Sequence, residues 1–118
     1  MSDPIHLSSD ESQEQLARQL WTLGDLNRLR ILSRLPLDPD CKTRTNVSQL
    51  AEELGLSQPT VSNHLARLRT LGIVRCQRMC RDCFYWVDAE RCEQIIEALQ
   101  ETLLAMRPGK PEGTPDDA

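Results

Sequence analysis

The alternation of apolar and polar residues divides the chain into four stretches of helical period, one short capped segment, and one pair of strands. Between residues 57 and 72, Val61, Leu65, Leu68 and Leu71 recur three or four apart and predict an amphipathic helix. Ser57 stands where an N-cap belongs, Pro59 falls in the first turn where its missing N–H costs nothing, and Gly72 supplies the stop. Residues 12–23 carry Leu16, Leu20, Trp21 and Leu23 as the buried side of a first helix. Asp25 caps a second helix over residues 26–35, with Leu29, Ile31, Leu32 and Leu35 as its core positions. A short helix from Asn46 ends at Gly55. After Gly72 the period changes: residues 73–78 and 83–87 read as strands, with residues 79–82 turning between them. Asp88 then caps a last helix, with Cys92, Ile95, Ile96, Leu99, Leu103 and Met106 on one stripe. Residues 36–45, with two prolines, form a loop, and the polar segments 1–11 and 108–118 are expected to be disordered, leaving one domain over 12–107.

The helix after Ser57 has an informative polar face. Gln58, Thr60, Ser62, Asn63 and His64 place short hydrogen-bonding groups at its start, and Arg67 and Arg69 follow. Amide and hydroxyl groups can read base edges, while arginine reaches bases or phosphates. The plainer reading is a surface helix with a solvated face. The context favours the first reading: a short capped helix, a tight glycine turn at Gly55 and then the polar-faced helix make a helix-turn-helix order. The downstream hairpin, with Arg78 and Arg81 near its tip, reads as a wing.

On these residues the chain resembles the ArsR/SmtB family of small winged-helix repressors. Leu23-Gly24-Asp25-Leu26-Asn27-Arg28-Leu29-Arg30-Ile31-Leu32 is similar to that family's LADPTRLRIL segment, and residues 49–74 are similar to its ELAEALGLSQSTVSRHLKVLREAGLV segment. Residues 73–87 follow its wing without a gap, so the resemblance spans about residues 14–106. It implies a mainly α, winged helix-turn-helix fold with about five helices and a small β-hairpin wing. It also implies a homodimer that binds a roughly palindromic double-stranded DNA operator. Gln58, Thr60, Ser62, Asn63, His64, Arg67, Arg78 and Arg81 are then the expected DNA contacts. Leu16, Leu20, Ile95, Leu99 and Leu103 are the expected dimer contacts, with packing inside one chain as the alternative for the last helix. Arg28 matches the family's arginine at its position, where a salt bridge and a phosphate contact both remain open.

Composition bounds these readings. A chain of 118 residues has room for one core. No apolar run approaches membrane-spanning length and no charged-then-apolar leader opens the chain, so a cytoplasmic protein without a membrane partner is expected. The net charge of −4 argues against a nucleic-acid partner, but its distribution offsets this: residues 42–91 hold eight arginines and lysines against five carboxylates. Binding through so modest an excess should be salt-sensitive and depend on dimerisation. No nucleophile–base pair or metal-hydrolase motif is visible, so an enzyme is not expected.

Five cysteines, an odd number without a secretory signal, point to free thiols, metal ligands or a redox switch rather than a disulfide framework. The family's Cys-Val-Cys site is absent, because its place reads Asn46-Val47-Ser48. Its last-helix site is not carried over either, since Asp88, Glu90, Glu101 and Leu104 include no histidine. What remains is Cys76, Cys80 and Cys83 in the wing. Three thiolates could hold arsenic(III) or antimony(III), and Cys92 or Cys41 as a fourth ligand would suit zinc or cadmium. If Arg78 pairs with Cys83, then Cys76 faces Tyr85 and shares a sheet face with Cys83. The alternative is that Cys76 and Cys83 only pack and Cys80 is an incidental surface thiol. Cys92 reads better as a small buried hydrophobe. Two rivals stay open: a redox or metal-handling protein on a winged-helix scaffold, and a winged helix that binds protein rather than DNA.

Overall fold

In the computed structural model, which describes residues 9–37 and 45–105, each helix begins where a side chain can replace a missing backbone partner. The elements are α1 (Ser9–Leu23), α2 (Leu26–Arg34), α3 (Val47–Leu54), α4 (Gln58–Thr70), β1 (Val74–Met79), β2 (Asp82–Val87) and α5 (Ala89–Gln100), which runs into a π-helical turn (Glu101–Ala105). Asp25, Asn46, Ser57 and Asp88 cap α2, α3, α4 and α5 through their side chains. The chain is a winged helix-turn-helix, as the residue pattern predicts. α1 starts three residues before the expected position, with Asp10 and Glu11 in its first turn complementing the helix dipole. The expectations for residues 1–8, Cys41, Met106 and the tail lie outside the described residues.

Ile31, Leu50, Val61, Leu65, Leu68, Ile73 and Val74 form the fully buried centre, so α2, α3, α4 and the wing base share one core. Two expected core positions are exchanged for polar ones. On α2 the inward positions are 28, 31, 32 and 35: Arg28 is 7 % exposed, while Leu29 is 51 % exposed. On α1 they are 16, 19, 20 and 23, so Gln19 is buried and Trp21 is 73 % exposed. Both sets keep the helical spacing, and Leu29 lies about 110° and Trp21 about 150° off the inward line.

The expected single stripe on the last helix also divides. Ile95 is buried in the core, and Cys92, Ala98 and Leu99 pack against it. Ile96, Leu103 and Leu104 are exposed. Leu16 and Ile95, both expected at a dimer interface, are covered within one chain, and Leu20 and Leu99 are partly covered by the same core. The apolar surface left on α1 and α5 with its terminal turn is Trp21, Ile96, Leu103 and Leu104.

β1 and β2 pair antiparallel with Val74 opposite Val87, Cys76 opposite Tyr85 and Arg78 opposite Cys83. Each strand is one residue longer toward the tip than expected, leaving Cys80 and Arg81 as a two-residue turn. The outward amides of β2 are satisfied by the connection between α2 and α3: Val87 N donates to Pro36 O at 2.8 Å and Tyr85 N to Thr45 O at 3.2 Å. Asp88 N donates to Ile73 O at 2.8 Å and closes the base of the wing.

Candidate nucleic-acid interface

The helix-turn-helix geometry follows from local chemistry. Asn46 Oδ1 accepts from Gln49 N at 2.9 Å, and Gln49 Oε1 accepts in return from Asn46 N at 3.2 Å, a reciprocal capping box. Gly55 takes φ +68°, and Leu56 N donates to Ala51 O, so α3 stops sharply. Ser57 Oγ then accepts from Thr60 N at 3.2 Å and donates to Thr60 Oγ1 at 2.8 Å. Gln58 Nε2 reaches back to Ser48 Oγ at 3.2 Å and ties the two helices across the turn. Asn46 Nδ2 donates to Asp82 Oδ2 at 3.3 Å, which joins the start of α3 to the wing.

With Val61, Leu65 and Leu68 sealed in the core, the opposite face of α4 is forced outward. Ser62, Asn63 and Arg67 are exposed there. Gln58 is exposed but engaged with Ser48, and Thr60 is half-buried with its hydroxyl in the cap. His64 differs from its neighbours. It is half-buried, and its Nδ1 accepts from Arg28 Nε at 3.1 Å. Arg28 also donates to Thr22 O at 2.9 Å and lies 5.9 Å from the Trp21 ring centroid. Among the described residues Arg28 forms no salt bridge, and at 7 % exposure its side chain is held inside the chain. Its burial is offset by hydrogen bonds, and His64 is one of the acceptors. Helical spacing cannot show this pairing, because the two residues lie 36 positions apart.

At the wing tip, Arg78 and Arg81 are exposed. Cys80 has φ +51° and Arg81 φ +74°, a left-handed pair that a two-residue hairpin needs and that asparagine and glycine adopt most readily. The register puts Cys76, Cys83 and Tyr85 on one sheet face, as the pairing of Arg78 with Cys83 requires. Tyr85 is held above its ordinary pKa by burial first and then by the charges of Cys76 and Cys83, against the opposing effect of Arg69. Cys76 and Cys83 are half-buried and Cys80 is exposed at the turn. Among the described residues no three histidine, cysteine or acidic side chains converge to hold a metal ion. The three wing thiols therefore do not form a ready-made site: Cys80 belongs to the turn, and Cys76 and Cys83 stand diagonally across the ladder. Burial, with the nearby Asp88 and Glu93 charges, raises the Cys92 pKa, as expected of a packing thiol.

No helix among the described residues is long and apolar enough to cross a membrane. A family model described as "Bacterial regulatory protein, arsR family" matches residues 25–75. The chain is 33 % identical over 105 residues to the HTH-type transcriptional regulator CmtR of Mycobacterium bovis, covering 89 % of this chain and 85 % of that one. It is 28 % identical over 97 residues to the biofilm growth-associated repressor of Xylella fastidiosa, covering 80 % and 81 % of the two chains. The crystal structure of NolR from Sinorhizobium fredii superposes with a TM-score of 0.63 at 29 % identity, covering 86 % of this chain and 97 % of that one.

Proposed function

The chain belongs to the arsR family of bacterial regulatory proteins, and from that membership we propose that it is a homodimeric repressor that binds double-stranded DNA through α4 and the wing. The observation that carries this reading is the exposed row Ser62, Asn63 and Arg67, whose side chains have no partner among the described residues. Gln58 joins that row with the part of its amide that Ser48 leaves unused, and Arg78 and Arg81 reach the backbone beside the groove. Thr60 sits at the cap with its hydroxyl shared, and His64 braces α4 through Arg28. The dimer forms through α1 and the end of the chain's last helix, with Trp21, Ile96, Leu103 and Leu104 meeting the partner. The name of the Xylella relative supports a repressor rather than an activator.

Release from DNA occurs through the wing thiols. The feature that supports this is Cys76 and Cys83 on one face of the hairpin, with Cys80 exposed at its tip. A soft ion such as arsenic(III), antimony(III), zinc or cadmium, or oxidation, would draw these residues together and reshape the wing. The test begins with a duplex that the protein selects from a randomised pool. Ser62→Ala with Asn63→Ala should weaken binding to it by roughly tenfold or more with the melting temperature retained. Unchanged affinity would remove α4 from its assigned role. Arsenite, zinc, cadmium and peroxide should then be added to the bound complex. Release that persists when Cys76, Cys80 and Cys83 are all serine would exclude the wing as the sensor.

A further inference from the structure

At the far end of α4 from the proposed groove face, a cleft of about 320 Å³ opens between α1, α4 and α5. Its walls include Gln15, Arg18 and Gln19 of α1, Arg69 near the end of α4, Gly72 beyond it, and Arg91 of α5. Three guanidinium groups thus line one cleft, and no carboxylate lines it with them. Among the described residues the ion pairs are Arg34 with Glu53 and Arg75 with Asp88, so Arg18, Arg69 and Arg91 have no carboxylate partner. A second, overlapping cleft shares Arg69, Gly72 and Arg91 and adds Asp88, whose charge Arg75 already answers at 3.3 Å.

Two further features mark this cleft as shaped for a ligand. Gln19 is 7 % exposed and lines the cleft, and among the described residues its amide has no hydrogen-bond partner. A buried amide is costly unless something supplies that bond. Gly72 has φ +78°, and a Cβ there would stand 3.1 Å from Arg91 Nε. Glycine therefore serves both the turn and the close approach of the Arg91 guanidinium to the backbone.

We propose that this cleft binds a small phosphorylated ligand, with the phosphoryl dianion held by Arg18, Arg69 and Arg91 and with the Gln19 amide donating to it. Planar guanidinium forks match phosphate oxygens, and three clustered cations favour a dianion over a single carboxylate. The volume lies at the small end of the range of about 300–1,000 Å³ typical of small-molecule sites. The thirteen residues of α4 span roughly 20 Å, so a ligand at Gly72 is well separated from the groove-facing start of the helix. The site is lined from α1, α4 and α5 together.

The test is an NMR titration of the ¹⁵N-labelled full chain with sodium pyrophosphate against sodium chloride at matched ionic strength. Saturable shifts centred on Gln19, Gly72 and Arg91 are expected. Arg91→Gln should weaken binding by roughly tenfold with the rest of the spectrum retained. Arg18→Gln, at an exposed position, should act in the same direction if the first variant fails to fold. Shifts that do not saturate, shifts centred on Arg78 and Arg81, or equal affinity in a folded variant would overturn the proposal. A DNA backbone could supply the same phosphoryl chemistry. Loss of affinity of Arg91→Gln for the selected duplex in phosphate-free buffer would assign these arginines to DNA and overturn the small-ligand site, whereas unchanged duplex affinity supports it. The pyrophosphate titration needs no DNA, so failure here and failure of the repressor reading are distinguishable.

Discussion

Arg28 Nε donates to His64 Nδ1 at 3.1 Å, joining α2 to the middle of α4 inside the helix-turn-helix. The bond requires Nδ1 to be unprotonated and leaves the other ring nitrogen to carry the hydrogen. Since Arg28 is buried, losing this acceptor leaves a charged donor short of one partner. His64→Ala should therefore lower stability by about 1–3 kcal/mol. His64→Gln, whose amide oxygen can accept from Arg28, should recover part of that loss. A double-mutant cycle with Arg28→Met, read from urea unfolding, should give a coupling of about 0.5–3 kcal/mol. A coupling near zero would mean that the two side chains contribute independently.

The wing tip stores backbone strain in two residues with side chains. Cys80→Asn with Arg81→Gly suits the left-handed conformations at φ +51° and +74°. The pair should stabilise the protein by about 1 kcal/mol in total, seen as a higher urea midpoint at unchanged slope. Affinity for the selected duplex should fall in the same variant, because Arg81 is one of the proposed backbone contacts. Stability and DNA binding moving in opposite directions would show that the strain is retained for the arginine.

Asp88 provides the clearest acid dependence. Its pKa is lowered first by the hydrogen bond from the Arg91 backbone amide, and Arg75 adds to this through a hydrogen bond and its charge. A folded pKa below the unfolded value of 3.8 means a stabilising contribution that is present above that value. It is lost as pH falls through the folded pKa. Melting temperatures measured from about pH 5 downward should fall more steeply for the wild type than for Asp88→Asn, which keeps a cap but cannot titrate. Parallel profiles would place the acid sensitivity elsewhere.

The residue order alone determines the helices, their caps, the two glycine stops and the wing, because each depends on groups within a few positions of one another. Asn46 with Gln49, Ser57 with Thr60 and Asp88 with Arg91 are all three residues apart, and the structure contains every one of these bonds. The register of Cys76 with Tyr85 stayed open in the sequence, where a slip of one residue would put Cys76 and Cys83 on opposite faces, and the two-residue turn at Cys80 and Arg81 decides it. Tertiary structure alone decides which way a helix with several apolar residues turns. Trp21 and Leu29 look like core by type, yet Gln19 and Arg28 occupy the inward positions, where Thr22 and His64 accept from Arg28. The grouping of Arg18, Arg69 and Arg91 around Gly72 is equally invisible in the sequence, because three helices far apart in the chain must pack before those charges share one cleft. Local hydrogen bonds are written in neighbouring residues, whereas burial and charge clustering depend on the faces that distant elements present to one another.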